Sequence, residues 1–190
     1  EINSKTGLYP LYVTYSIFRS KCIAYAEEGL TFELQEQLWN TTVENNVFVI
    51  CKTPMAKSIV RRTLLGYKDG VVNAHYFDDL INYIANKPNK FVDRVLKASY
   101  WKKEGAKMKF DAVVGNPPYQ IMNKGDGNGS DPIYHLFINA ARLVCSKGTF
   151  IHPARFLFNA GKTPKDWNKK MLNDEHYRIV RYWANSSDVF

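Results

Sequence analysis

A short apolar run, residues 110–115, leads directly into two consecutive prolines in Asn116-Pro117-Pro118-Tyr119. Proline lacks a backbone N–H, fixes its own φ and restricts the residue before it to extended conformations. A central strand cannot continue through such a pair, so the chain has to leave the sheet here in a stiff turn. The run therefore predicts a buried strand that presents the side chains of this turn at one edge of a sheet.

The groups in this turn suit the binding of a flat molecule that carries an amino nitrogen. The Asn116 amide can accept and donate hydrogen bonds, and the Pro117 carbonyl is an acceptor without a neighbouring N–H of its own residue. The Tyr119 ring can stack on another ring. The alternative is a loop that merely ends a strand, or a proline-rich segment that binds a partner. Linear ligand segments usually lie outside buried strands, so the position favours a functional site.

Residues 110–119 resemble the catalytic motif of S-adenosylmethionine-dependent N6-adenine DNA methyltransferases. The whole chain resembles the methylase domain of Eco57I-like restriction–modification enzymes, and residues 1–12 resemble the cofactor motif of that family. The resemblance implies a single methyltransferase core over residues 1–190, truncated at both ends. Residues 1–109 would be its cofactor-binding half and residues 110–190 its catalytic and substrate half.

The rest of the chain alternates between helical and strand patterns. Helices are predicted at residues 8–28, at 31–45, from Pro54 to a stop at Gly66, in pieces within 80–109, from Asp131-Pro132 onward, and after Thr163-Pro164 to 172; strands are predicted at 47–51, 71–76, 149–152 and 177–183. Such alternation predicts an α/β protein with a mainly parallel, doubly wound sheet flanked by helices. With the resemblance, this becomes a Rossmann-like methyltransferase fold.

The resemblance also places the cofactor, S-adenosylmethionine. The turn between the first strand and the first helix would hold its methionine part, because a helix N-terminus favours a carboxylate. A carboxylate after the third strand would contact its adenine amino group, although an aspartate there can equally cap the next helix. A Rossmann-like site usually has an acidic residue after the second strand, whereas this chain has Cys51-Lys52-Thr53. The implied cofactor residues are Glu1, Asn3, Ser4, Gly7, Asp78 and Asp79.

The implied reaction is methylation of adenine N6 in double-stranded DNA, with the adenine flipped out of the duplex. Asn116 and Pro117 would hold the amino group, Pro118 would stiffen the turn, and Tyr119 would stack on the base. Other parts of the same polypeptide would recognise the target sequence, with a nuclease as a further option. Two alternatives stay open: a protein methyltransferase that acts on the glutamine N5 amide, and a non-catalytic methyltransferase-like module that binds DNA.

Composition narrows the class of protein further. The chain has 26 basic and 18 acidic residues, a net charge of +8, which suits a polyanionic partner but also fits a simply basic protein. Three dispersed cysteines and four histidines show no metal-ligand spacing, so we expect no metal site and no disulfide framework. His135 is expected to be structural. Without a signal peptide or a long apolar run, we expect a cytoplasmic protein outside the membrane.

The segment at residues 123–130 contains three glycines among small polar residues. Such a composition does not favour a regular helix or strand. It is either a plain surface loop or a mobile loop that orders over substrate next to the motif.

Overall fold

Parallel strand pairs covered by helices make up most of the structure, a computed structural model that describes residues 1–122 and 129–188. The strands are β1 (Ile2–Ser4), β2 (Phe48–Cys51), β3 (Asn73–Tyr76), β4 (Val113–Gly115), β5 (Gln120–Met122), β6 (Ser130–Pro132) and β7 (Gly148–Phe150). The helices are α1 (Leu8–Ala24), α2 (Phe32–Asn46), α3 (Pro54–Leu65), α4 (Leu80–Asn86), α5 (Pro88–Leu96), α6 (Tyr134–Val144) and α7 (Lys165–Leu172). Short 3₁₀ turns are Ala26–Glu28, Ala98–Trp101, Arg155–Phe158 and Ser186–Asp188. The predicted mixed α/β class is confirmed.

The strands pair in three groups. β1, β2 and β3 form a parallel sheet in that order, with Phe48 opposite Asn73 and Cys51 opposite Tyr76. β4 pairs in parallel with β7, whereas β5 and β6 form an antiparallel pair. Parallel strands end at the same edge of their sheet, so the carboxyl ends of β1, β2 and β3 lie side by side.

Helix α3 begins and ends as its sequence predicts. The Thr53 hydroxyl accepts a hydrogen bond from the Ala56 N–H at 3.0 Å, and Pro54 occupies the first turn, where its missing N–H costs nothing. Gly66 ends the helix at φ 61°, a left-handed conformation that glycine adopts without steric cost. Local chemistry therefore fixes both ends of this helix.

Both faces of the β1-β2-β3 sheet are covered. One face packs Val49 and Ala74 against Val43 of α2 and Val60 of α3. On the other face, the Trp101 ring meets Phe48 and His75 edge-on, with centroids 5.2 and 5.0 Å away. Alternate residues of a strand point to opposite faces, so β2 is buried from both sides.

The chain divides into two compact units. The first contains residues 1–117 and 136–151, and the second contains residues 118–135 and 152–190. The second unit is built around aromatic rings: the His152 and Tyr134 rings stack with centroids 5.4 Å apart at 7°. The His152 Nε2 and the Tyr177 hydroxyl form a hydrogen bond of 2.9 Å, and burial lowers the pKa of His152. A neutral, fully bonded imidazole here serves packing.

One predicted helix start and one predicted strand are wrong. Asp131 and Pro132 do not start a helix; they belong to β6, where Pro132 lies opposite Gln120, and α6 begins only at Tyr134. The physical reason is that β5 supplies a partner for this segment, and a short hairpin strand tolerates proline. Within the described residues, this pair is antiparallel, whereas the β1–β2, β2–β3 and β4–β7 pairs are parallel, as predicted.

The strand predicted at residues 177–183 is absent from the described part of the chain. Instead, the Tyr177 N–H donates to the Asp174 carbonyl at 2.9 Å, which closes a turn after α7. Residues 178–182 are exposed. Strand-forming side chains do not make a strand unless a neighbouring strand pairs with them, and the described residues offer none.

Other predicted bounds shift by a few residues, since predicted strand 71–76 is observed as Asn73–Tyr76 and predicted helix 8–28 as α1 followed by a 3₁₀ turn. Most of the glycine-rich segment, residues 123–128, lies outside the described residues. Every helix within residues 1–122 and 129–188 is too short or too polar to cross a bilayer. In the same ranges, His, Cys, Asp and Glu side chains form no group of three suited to a metal ion.

Candidate functional site

The carboxyl end of β1 has an irregular backbone. Asn3 adopts φ 71°, and the pairing register with β2 shifts between Ile2 and Ser4, as in a β-bulge. Asparagine tolerates this left-handed conformation better than most residues, and bulges bend a strand and re-aim its side chains. Backbone outliers of this kind concentrate at functional sites. Because of the bulge, the Asn3 and Ser4 side chains do not simply alternate between the two faces of the sheet, as they would in a regular strand.

Buried polar groups collect at this bulge. Asn3 is 4% exposed and Ser4 is 1% exposed. In the described part of the chain, neither Glu1 Oε2 nor Asn3 Oδ1 has a hydrogen-bond partner, although both atoms are buried. Burial raises the pKa of the Glu1 carboxyl, an effect that the Ser4 side chain partly offsets. Buried acceptors without donors are costly, so this place suits a ligand that brings N–H or O–H groups.

Gly7 connects the bulge to α1. It adopts φ 79°, and a Cβ there would lie 3.1 Å from the Val60 Cα and 3.2 Å from the Thr63 Cβ of α3. The Thr63 hydroxyl donates to the Thr6 carbonyl at 2.8 Å and holds the turn against α3. Glycine cannot cap a helix with a side chain, and the first turn of α1 contains no acidic residue. The backbone N–H groups of the first turn of α1 are therefore suited to an anionic ligand.

The predicted turn after β4 lies next to this bulge. A Cβ on Gly115 would lie 3.2 Å from the Ile2 carbonyl oxygen, which shows how closely β4 approaches β1. Asn116 follows Gly115 and is half-buried, while Pro117 is buried. A side chain at position 115 would push the two strands apart, so this glycine couples the turn to the end of β1.

Tyr9, in the first turn of α1, joins these two segments. Burial and the Glu1 carboxyl raise the pKa of Tyr9, while a hydrogen bond with the Asn116 side chain lowers it. Tyr9 thus lies close to the Asn116 side chain and within electrostatic reach of Glu1, although Tyr9 and Asn116 are 107 positions apart in the sequence. Sequence reasoning missed Tyr9; the signal was a hydroxyl-bearing side chain two residues after Gly7, on the helix that faces the strand ends.

Pro118 and Tyr119 belong to the second unit, where both are half-buried. The Tyr119 carbonyl accepts a hydrogen bond from the Ile133 N–H at 3.0 Å, next to the β5–β6 pair. This backbone bond fixes the Tyr119 main chain directly after the prolines. The stiff exit from β4 that the two prolines predict is therefore followed at once by a hydrogen-bonded hairpin.

The carboxylates after β3 are held by local hydrogen bonds. Asp78 accepts from the Tyr76 hydroxyl and Asp79 from the Asn82 amide, each at 2.7 Å. Asp79 occupies the N-cap position of α4 but forms no side-chain capping bond there. Asp78 and Asp79 follow β3 in the three-stranded sheet, whereas Asn116 follows β4 in the β4–β7 pair. Both aspartates keep further lone pairs for a ligand, since a carboxylate can accept several hydrogen bonds.

The position after β2 carries no carboxylate. Cys51 is buried, and burial together with the Glu1 carboxyl raises the pKa of its thiol to about 12. Lys52 is exposed and Thr53 caps α3. The neutral Cys51 side chain therefore cannot replace an acidic residue at this strand end.

Comparison with known proteins identifies relatives of this chain. A family model described as Eco57I restriction-modification methylase matches residues 45–190, which include Asn116-Pro117-Pro118-Tyr119 but not the turn at Gly7. Over 95 residues, the chain is 30% identical to a protein of Mycoplasma pneumoniae (strain ATCC 29342 / M129 / Subtype 1) named "Uncharacterized adenine-specific methylase". That alignment covers 48% of this chain and 22% of the relative, so the chain matches about a fifth of its length. No solved structure matches.

Proposed function

Because the chain belongs to the Eco57I restriction-modification methylase family, we propose that it transfers a methyl group from S-adenosylmethionine to N6 of adenine in DNA. The observation that carries this proposal is the family match across the turn at residues 116–119, which follows β4 at a sheet edge. The relative's name, an adenine-specific methylase, supports the choice of adenine. DNA of the same cell is the partner, so the protein would act in the cytoplasm, with target recognition supplied by other parts of the polypeptide.

The polar groups on β1 and directly before it suit this cofactor. Its amino group and ribose hydroxyls would supply the donors that Glu1 Oε2 and Asn3 Oδ1 lack, and the first turn of α1 would hold its carboxylate. Ser4 and Gly7 line the same turn, and Asp78 or Asp79 would accept a hydrogen bond from its adenine. S-adenosylmethionine supplies an already activated methyl group, so the side chains need chiefly to position the reactants.

Asn116 and Pro117 would make the acceptor nitrogen reactive. The lone pair of adenine N6 is delocalised into the ring, which makes it a weak nucleophile. Hydrogen bonds from the two N6 protons to the Asn116 side-chain oxygen and the Pro117 carbonyl would favour a more tetrahedral nitrogen. Preorganised acceptors of this kind act strongly because they need no rearrangement during the reaction. Attack of N6 on the methyl carbon would break the carbon–sulfur bond of the cofactor, and one N6 proton would then pass to water, because amide and carbonyl oxygens are too weakly basic to keep it.

We also propose that the sheets of the first unit are parts of one doubly wound, Rossmann-like sheet in the order β3-β2-β1-β4-β7. Two observations support this order: the parallel pairs β1-β2-β3 and β4-β7, and the close approach of Gly115 in β4 to Ile2 in β1. In such sheets, ligands bind at the carboxyl ends of the strands, where the direction of winding reverses. That point would fall between β1 and β4, with residues 1–109 on the cofactor side and residues 110–190 on the substrate side of one catalytic core.

Tyr119 would stack on the flipped base, and its removal tests this role. Tyr119→Ala is expected to weaken productive DNA binding by about 1–3 kcal/mol, roughly 5- to 150-fold, because stacking of one base on an aromatic ring is worth that much. The KM for mixed-sequence duplex DNA measures the loss. Tyr119→Phe keeps the ring and is the matched control, so a KM near the wild-type value is expected. Equal losses in both variants would contradict stacking.

Tyr9 would orient the Asn116 amide so that its oxygen faces the substrate. Tyr9→Phe is expected to lower kcat about 2- to 10-fold, since a neutral hydrogen bond contributes about 0.5–1.5 kcal/mol, with cofactor affinity unchanged. Single-turnover methyl transfer measures the effect. Tyr12→Phe, on the same helix at a residue that is 70% exposed, is the control and should leave kcat unchanged. If Tyr9→Phe lowers cofactor affinity without changing kcat, Tyr9 does not orient the Asn116 amide.

The deciding experiment is transfer of tritium from labelled S-adenosylmethionine to mixed-sequence duplex DNA, followed by analysis of the nucleosides. Label in N6-methyladenine supports the proposal. The same assay is run with a glutamine-containing peptide. Label in the peptide but not in DNA would show that the substrate is a protein glutamine amide instead of adenine. Failure to bind the cofactor, measured by calorimetry, would favour a non-catalytic module.

A further inference from the structure

Most of the surplus positive charge of the chain lies in one segment. Residues 87–109 contain eight basic and two acidic residues, a net charge of +6, whereas the whole chain has a net charge of +8. All of this segment belongs to the first unit. The basic surface, as we call it, consists of Lys87, Lys90, Arg94, Lys97, Lys102, Lys103, Lys107 and Lys109.

These cations are mostly exposed and unneutralised. Apart from Lys103, which is half-buried, every basic residue of the surface is exposed. Lys103 lies 4.0 Å from a Glu44 carboxylate oxygen. Among the described residues, no carboxylate forms an ion pair with Lys97 or Lys107. The surface therefore presents positive charge that its own neighbours do not cancel.

The backbone places two of these lysines in direct opposition. Lys97 and Lys107 face each other in an antiparallel β-bridge. The bridge is continued by a hydrogen bond from the Met108 N–H to the Leu96 carbonyl at 2.6 Å and one from Ala98 to Ala106 at 3.4 Å. Like charges at directly opposite positions of such a pair repel each other. A bound anion between them would convert this repulsion into attraction.

The basic surface rests on a rigid base. Trp101 is 3% exposed, and its indole N–H donates to the Val95 carbonyl at 2.7 Å. The Arg94 guanidinium lies over the Phe77 ring at 4.8 Å and the Tyr100 ring at 5.2 Å. Packing of this kind fixes the backbone from which the lysines project, so the cations are not spread over a flexible tail.

The spacing of the charges suits an extended polyanion. Lys90, Arg94 and Lys97 follow one another at intervals of four and three residues, which places them along one side of α5 and its end. That row spans roughly 10 Å, since a helix rises about 1.5 Å per residue. A single small anion would occupy only one of these positions. A duplex, with one negative charge per roughly 1.7 Å of its axis, can engage the whole row.

We infer that the basic surface binds the sugar–phosphate backbone of duplex DNA away from the target base. The inference rests on the proposed function, since it assigns a second contact to the same substrate. Lysine contacts to phosphates fix the position of a protein on DNA without reading sequence. This surface would therefore raise affinity for any duplex, while the turn at residues 116–119 acts on the base.

The test compares two double variants with the same change in charge. Lys97→Gln/Lys107→Gln removes the opposed pair. Lys169→Gln/Lys170→Gln removes two exposed lysines in the last turn of α7, in the second unit, and serves as control. Binding to a fluorescent mixed-sequence duplex is measured by anisotropy over a range of salt concentrations. The slope of log Kd against log salt should fall by about 2 for the first variant, because each phosphate contact contributes about 0.9. The control slope should stay at the wild-type value.

Each outcome bears on the inference. Equal slopes for the first variant and the wild-type protein, or equal losses in both variants, would overturn it, because binding would then follow net charge alone. Tighter binding to an RNA duplex than to DNA through the same two lysines would also overturn it. The thermal midpoint of the first variant should not fall, since removal of like charges does not weaken the fold. At saturating DNA its kcat should be unchanged. If the wild-type protein transfers no methyl group while the slope is still lower for Lys97→Gln/Lys107→Gln than for wild type, the proposed function is wrong, but DNA binding by the basic surface is supported.

Discussion

Asn116→Ala is expected to lower kcat for methyl transfer by about 10²–10³-fold while leaving the affinity for S-adenosylmethionine unchanged. A preorganised polar group aimed at the reacting atom is typically worth this much in kcat, about 2.7–4 kcal/mol. Cofactor affinity should survive because the buried acceptors assigned to the cofactor belong to Glu1, directly before β1, and to Asn3, within β1. Single-turnover tritium transfer measures kcat, and calorimetry measures the cofactor Kd.

Two further substitutions make the Asn116 result specific. Asn116→Asp keeps the shape and an acceptor oxygen, so it should retain more activity than Asn116→Ala if the side chain accepts a proton of N6. Asn86→Ala removes an exposed amide whose hydrogen bond goes to Asn82, and it should leave kcat unchanged. Wild-type activity in the Asn116→Ala protein would refute the proposed mechanism, whatever the other variants show.

Gly7→Ala is expected to destabilise the fold by about 2–5 kcal/mol and to weaken cofactor binding about tenfold or more. The left-handed backbone costs a residue with a Cβ about 1–2 kcal/mol, and forcing that atom against α3 costs about 1–3 kcal/mol more. The close contacts are those at 3.1 Å to Val60 and 3.2 Å to Thr63. The same shift of the turn would move the first N–H groups of α1 away from their ligand. Urea denaturation measures the stability and calorimetry the cofactor affinity.

Gly29→Ala is the matched control for Gly7→Ala. Gly29 also has a positive φ, 89°, but a Cβ there would meet no atom within 4 Å. This variant should therefore lose only the cost of its backbone conformation, about 1–3 kcal/mol, and should bind cofactor normally. If the two variants prove equally stable, the packing of the turn against α3 does not constrain it.

Some of the local features could be read directly from the sequence. Thr53, Pro54 and Gly66 mark the ends of α3 because capping, proline and positive φ act over a few neighbouring residues. The strand before Asn116 is likewise confirmed as β4, since two prolines end a strand wherever it lies. The roles of residues 116–119 stay a prediction, because geometry alone does not reveal chemistry.

Other features depended on partners that the sequence does not identify. Residues 177–183 have side chains typical of a strand, yet no described strand pairs with them, while Pro132 entered a strand because β5 lies beside it. Tyr9 and Asn116 lie close together only because the chain folds α1 and the turn after β4 into the same unit. Lys97 and Lys107 face each other only because the chain reverses after Trp101.

By itself, the sequence determined the ends of α3, the α/β class and the motif at the end of β4. These follow from short-range sterics and from hydrophobic periodicity, which each segment carries within itself. Only the tertiary structure decided the bulge at Asn3, the proximity of Tyr9 to Asn116, and the opposed lysines of the basic surface. Such contacts join distant segments, and their free energy depends on which strands and helices pack together rather than on the residues of one segment.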